Sequence, residues 1–88
     1  APTIEGPDVI VTAEVSNRGE RPRLLTLEAL APELPTQQSL ISDLDPGESV
    51  VKRFIFKNAA SKLSGRRIQL SLGDVDEAER LNVTVRVP

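Results

Sequence analysis

The sequence predicts an all-β chain folded as a two-sheet antiparallel β-sandwich of six to seven strands. Three observations lead there. Apolar residues recur with a period of two in short runs, which buries one face of a strand and wets the other. Turn residues separate those runs at regular intervals. No stretch carries the 3.6-residue period of an amphipathic helix.

The elements follow in order. Thr3-Ile4-Glu5 is a short candidate strand. From Val9 to Val15 the odd positions Val9, Val11, Ala13 and Val15 are apolar and Thr12 and Glu14 polar, with Ile10 breaking the alternation. Asn17-Arg18-Gly19-Glu20 ends the run, Asn and Gly being the residues that supply a positive φ in a tight turn. Arg23 to Ala31 sets Leu25, Leu27, Ala29 and Ala31 on one face; a helix competes, since Leu and Ala form helices well, but Pro22 and Pro32 leave about nine residues, short for one, and a strand is preferred. Pro32 and Pro35 make an extended entry to Gln37–Leu44, which reads either as a short strand or as one helical turn. Asp45-Pro46-Gly47-Glu48 is a turn with Pro at the first corner and Gly after it. Ser49 to Lys57 puts Val50, Lys52, Phe54 and Phe56 inward, because that face holds both aromatic rings; Lys52 is expected near a strand end, its ammonium reaching water. Asn58 to Gly65 reads as a polar connection. Arg66 to Leu72 places Ile68, Leu70 and Leu72 inward, Gly73 to Glu79 is an acidic loop, and Leu81, Val83, Val85 and Val87 alternate in the last strand before Pro88.

Composition bounds the chemistry. Eighty-eight residues make a single domain. Without Cys or His there is no disulfide, thiolate metal site, Ser-His-Asp triad or imidazole ligand. A formal net charge of -2 argues against nucleic acid as a partner. No run approaches the ~20 apolar residues that insert into a membrane. No signal-peptide pattern opens the chain and Ala1 stands first, so the expectation is a processed or excised piece of a larger multidomain protein.

Three features carry a family resemblance. One is Val11-x-Ala13-x-Val15-x-Asn17-x-Gly19, a strand running into an Asn-x-Gly turn. The second is Leu44-x-Pro46-Gly47-Glu48-Ser49 before an alternating aromatic strand. The third is a Gly-led strand from Gly65 to Leu72, an acidic loop with Val75-Asp76, and a terminal Val-rich strand. From Val9 to Val87 the chain resembles bacterial and archaeal immunoglobulin-like modules of the CARDB, cell-adhesion-related type. It departs from them where Lys52 replaces an apolar residue, where Phe56 stands for Trp, and where Asn82 alone replaces a pair of asparagines. The resemblance implies an immunoglobulin- or fibronectin-III-like sandwich, extracellular or in the cell envelope, that spaces or docks neighbouring domains of the same polypeptide. A protein- or glycan-binding module, or an accessory domain of a secreted hydrolase, is the alternative it leaves.

Candidate sites are few. Asp74, Asp76 and Glu77, with Glu79, cluster hard oxygen ligands of the kind calcium needs, without the order of an EF-hand. Solvated loop acids balanced by Arg66, Arg67 or Arg80 are the competing reading. Paired carboxylates also serve glycoside hydrolysis, but no cleft or aromatic platform is foreseen, and no catalytic residue is assigned. Arg18, Arg21 and Arg23 surround the first turn, either docking an acidic partner or forming a charged rim. Asn82-Val83-Thr84 matches a glycosylation sequon inside a strand. Ile10, Leu24, Leu30, Val51 and Ile55 fall on outward faces, where a contiguous apolar patch or a free strand edge marks an interface.

Overall fold

Strands form over every alternating run. The computed structural model describes residues 1–75 and 80–88. Its elements are β1 (Pro2–Glu5), β2 (Asp8–Ser16), β3 (Arg23–Leu30), β4 (Gln37–Leu44), β5 (Ser49–Phe56), the single helical turn α1 (Ala60–Leu63), β6 (Arg67–Asp74) and β7 (Arg80–Arg86). The strands make two antiparallel sheets, ordered β1-β2-β5 and β4-β3-β6-β7, packed face to face as a β-sandwich. In a constant-type immunoglobulin domain the fourth strand joins the sheet of the first, second and fifth. Here β4 stays hydrogen-bonded to β3, so one sheet is a strand narrower than the other.

The core is aliphatic around two rings. Val9, Val11 and Val15 from β2 meet Leu25, Leu27 and Ala29 from β3, with Phe54, Phe56, Ile68 and Leu70 between them, all buried. The faces are those the period of two requires. The segment Gln37–Leu44 is a strand, and β4 holds one extra residue against β3, where the register shifts between Arg23 and Leu25 and Asp43 takes φ 53°. Gly47 takes φ 82° behind Pro46, and Glu48 N donates to Asp45 O at 3.0 Å, closing the turn before β5 as read from the sequence.

Three details differ from the sequence reading. Lys52 lies mid-strand, opposite Ala13, and is half-buried. It reaches water sideways, because β5 is the edge of its sheet. The connection after β5 is not simply polar. Ala59 and Leu63, four residues apart on one turn, are 1% and 0% exposed and plug the end of the sandwich. The last strand is the third case. Leu81 and Val83 share the inward face of β7 yet are 61% and 47% exposed. The three-stranded sheet is too narrow to cover them.

The two ends of the molecule have distinct roles. At the lower end Ala60 N donates to Pro7 O, Asn58 N to Asp8 Oδ1, and Gly65 N to Val87 O, tying α1 to the first turn and the chain end. At the upper end the β2–β3 and β4–β5 connections cross between sheets. Phe54 is 3% exposed and Val51, on the same strand, is 56% exposed. Phe54→Ala is therefore expected to destabilise the fold by about 4 kcal/mol, and Val51→Ala by no more than about 0.5 kcal/mol, in denaturant titration.

Candidate functional site

The upper end is organised by one buried polar side chain. Asn17 is 2% exposed. Its Nδ2 donates to Arg21 O at 2.9 Å and to Leu44 O at 2.8 Å, and its Oδ1 accepts from Gly19 N at 2.9 Å. Its backbone N donates to Glu48 O at 3.0 Å, and its O accepts from Gly47 N at 2.8 Å. One residue thus fastens the β2–β3 connection to the end of β4 and to the turn before β5. Neither Asn17 nor Gly19 takes a positive φ, in contrast to the sequence expectation. Asn17 works through its amide, satisfying carbonyls that would otherwise be buried without partners.

Beside Asn17 the sandwich opens into a cleft of about 560 Å³. Leu25 and Leu72 form its apolar lining, Leu81 one lip, and Arg18, Arg23, Asp74 and Arg80 its charged lining. Strand parity places Arg23 and Asp74 on the inward faces of β3 and β6, beyond Leu25 and Leu72. Arg23 Nε donates to Asp74 Oδ2 at 2.7 Å, with the Asp74 side chain 6% exposed and that of Arg23 31% exposed. Such a pair closes the upper rim of the core: each charge enters a poorly solvated position because the other is there. Arg80 lies on the outward face. Its Nε donates to Ser71 Oγ at 3.0 Å, its Nη2 is 3.6 Å from Glu28 Oε1, and Gly73 leaves room for it, since a Cβ there would meet Nη1 at 2.6 Å.

The residues singled out from the sequence therefore separate. Asp74 is at the end of β6 with one carboxylate oxygen held by Arg23; Asp76 and Glu77, the other calcium candidates, and Glu79 lie outside the described residues. Among the described residues no group of three carboxylates gathers in a metal-binding cluster. The arginines of the first turn are divided: Arg23 turns inward, Arg18 lines the cleft, and Arg21 is exposed. Asn82 is exposed on β7. Of the outward apolar residues, Ile10 is 8% exposed where it pairs with Ile55, while Val51, Ile55 and Leu30 stay open to solvent. Sequence reading missed Asn17 as a hydrogen-bonding centre and the stacking of Arg80 over Gly73. The parity of Arg23 and Asp74 with Leu25 and Leu72 was the available signal for the inward ion pair.

No family model, curated protein or solved structure matches this chain. The site is therefore read from its own chemistry. Its described lining combines three arginines with one carboxylate, which an arginine already engages, above an apolar floor.

Asn17→Ala removes three side-chain hydrogen bonds and strands buried partners. It is expected to lower stability by about 3 kcal/mol in urea unfolding. Arg23→Ala withdraws a charge-assisted donor from the buried Asp74. A loss of about 2 kcal/mol is expected, below the ~3–5 kcal/mol of a fully buried pair because Arg23 keeps part of its exposure. In the double variant Arg23→Ala, Asp74→Ala most of that loss should return, as a double-mutant cycle would measure.

Proposed function

We propose that this chain is a non-catalytic structural and interaction module of a larger exported protein, a stiff immunoglobulin-like unit that spaces and presents its neighbours. The observation that carries this reading is the elongated sandwich, fastened at its upper end by Asn17 and at its lower end by α1. Ala1 N donates to Thr12 O at 3.3 Å, so the chain enters part-way along β2 and runs in β1 towards the lower end. It leaves at that lower end, where Val87 N donates to Arg66 O at 2.9 Å and Ser64 Oγ to Pro88 O at 2.9 Å. A body 42 Å long and 21 × 16 Å across, fastened at both ends, suits a spacer. The crossed and buttressed ends suit transmission of orientation from one neighbour to the next.

The chemistry of the described cleft supports the same reading. General acid–base catalysis by carboxylates needs a second acid at a set distance, and the one acid in that lining is bound to Arg23. The likeness to CARDB-type modules points the same way, towards a spacer or adhesion role in the cell envelope or outside the cell. The free surfaces give the module something to hold.

The test is made on source cells. An antibody raised against this chain is used to probe cytosolic, envelope and secreted fractions. The reading expects a band much larger than the 9.6 kDa of this chain, in the envelope or secreted fraction. A cytosolic band at the mass of the chain alone would reject it.

A further inference from the structure

The four sheet edges are not protected alike. An edge strand offers a row of unpaired N–H and C=O groups, and proteins commonly shorten, bulge, charge or cover it. β1 is four residues long and begins at Pro2. β4 is bulged near Asp43. β5 is covered in part by Gln37, whose Nε2 donates to Ile55 O at 2.7 Å. β7 pairs with β6 from Arg80 to Arg86 with no register shift. Among the described residues no strand, bulge or side-chain hydrogen bond occupies its far edge.

The direction of the free groups follows from one bond. Val87 N donates to Arg66 O, so the odd residues of β7 turn their backbone groups towards β6. Asn82, Thr84 and Arg86 then turn theirs away from the sheet. Side chains complete the pattern. On the outward face Arg86 stands directly opposite Arg67, a like-charge pair, and neither has an acidic partner among the described residues. Among the described residues, Arg80 is the one arginine of this face held by an acid, Glu28. On the inward face Leu81 and Val83 are exposed. A hollow of about 340 Å³ on the outward side is lined by Arg67 together with Leu30, Pro32, Gln69 and Thr84.

We propose that β7 is a docking edge for an extended segment of a partner polypeptide in which acidic and apolar residues alternate, added as a fifth strand to the four-stranded sheet. The free backbone groups of Asn82, Thr84 and Arg86 supply the ladder. Acidic side chains of the incoming strand relieve the Arg67–Arg86 opposition, and its apolar side chains cover Leu81 and Val83. A second copy of this chain fits less well. Fully overlapped antiparallel pairing of two β7 strands, centred on Val83, sets Arg80 of each copy against Arg86 of the other. The proposal names the partner chemistry of the interaction module and rests on that reading.

The test uses the intact chain and a labelled synthetic peptide, Glu-Val-Thr-Val-Glu-Val-Glu, followed by fluorescence anisotropy and amide chemical shifts. Saturable binding is expected, with shifts concentrated on residues 82, 84 and 86. A peptide with Lys for every Glu should bind about tenfold more weakly. Thr84→Pro removes an N–H that points away from β6 and should abolish binding while the chain stays folded. Arg86→Glu provides a second variant, expected to weaken the Glu peptide about tenfold and to tighten the Lys peptide. Absence of binding at millimolar peptide, equal affinity for both peptides, shifts away from β7, or binding indifferent to both variants would each overturn the proposal. So would a concentration-dependent dimer dispersed by Thr84→Pro, which would assign the edge to a second copy. Any of these failures leaves the fractionation result for the parent protein as it stands.

Discussion

Asn17 holds the two sheets to each other at the upper end. The chain passes from one sheet to the other twice there, after β2 and before β5, and both passages bond to this residue. A buried amide can do this because it offers two donors and an acceptor in a fixed plane, where a hydroxyl or a carboxylate cannot match three backbone groups. The lower end has no such buried amide: there Ala59 and Leu63 add apolar burial to the core cluster that holds Phe56 and Val9. One end is thus centred on a single polar side chain, while the other joins apolar burial to the hydrogen bonds that tie α1 to the first turn and to the chain end. The sandwich between them needs little beyond Leu, Val, Ile and two Phe.

The unequal widths of the sheets set the rest of the surface. With β4 beside β3, the four-stranded sheet overhangs its partner, and the inward side chains at the start of β7 meet solvent. The same overhang opens the cleft beside Asn17 and leads Arg23 and Asp74 to close the core with charge. Arg80 then bends across Gly73 towards Glu28, and among the described residues that leaves Arg67 and Arg86 on the outward face without an acidic partner. A chain of net charge -2 therefore presents one locally basic sheet face. That face borders the one long edge without a bulge or cover among the described residues.

Much of this was legible in the sequence, because a period of two is a local signal. Val9 to Val15, Leu25 to Ala31 and Ile68 to Leu72 declare their buried faces residue by residue, and Pro46-Gly47 declares its turn. Burial across the sheets is not local. Leu81-x-Val83-x-Val85 has the cleanest alternation in the chain and the least burial, since its fate depends on a strand elsewhere being absent. The positions of Lys52 and Leu63 are not local either: the first depends on which strand is an edge, the second on a single helical turn too short to show a period. At the site, residue types pointed to charge at the first turn and after β6. They did not show that Arg23 and Asp74, fifty-one positions apart, would neutralise each other. Pairing at that distance is a property of the register between β3 and β6.

Native-state hydrogen exchange on the intact chain tests this division between a locked interior and an open edge most directly. The amides of residues 81, 83 and 85 should be protected by β6, and those of residues 82, 84 and 86 should exchange close to unstructured rates, alternating along one strand. The Asn17 amide should exchange only with global unfolding. Uniform protection along β7 would mean that its far edge is already covered, and uniform fast exchange would mean that it is not paired with β6. Either result would contradict the open edge on which the docking surface rests.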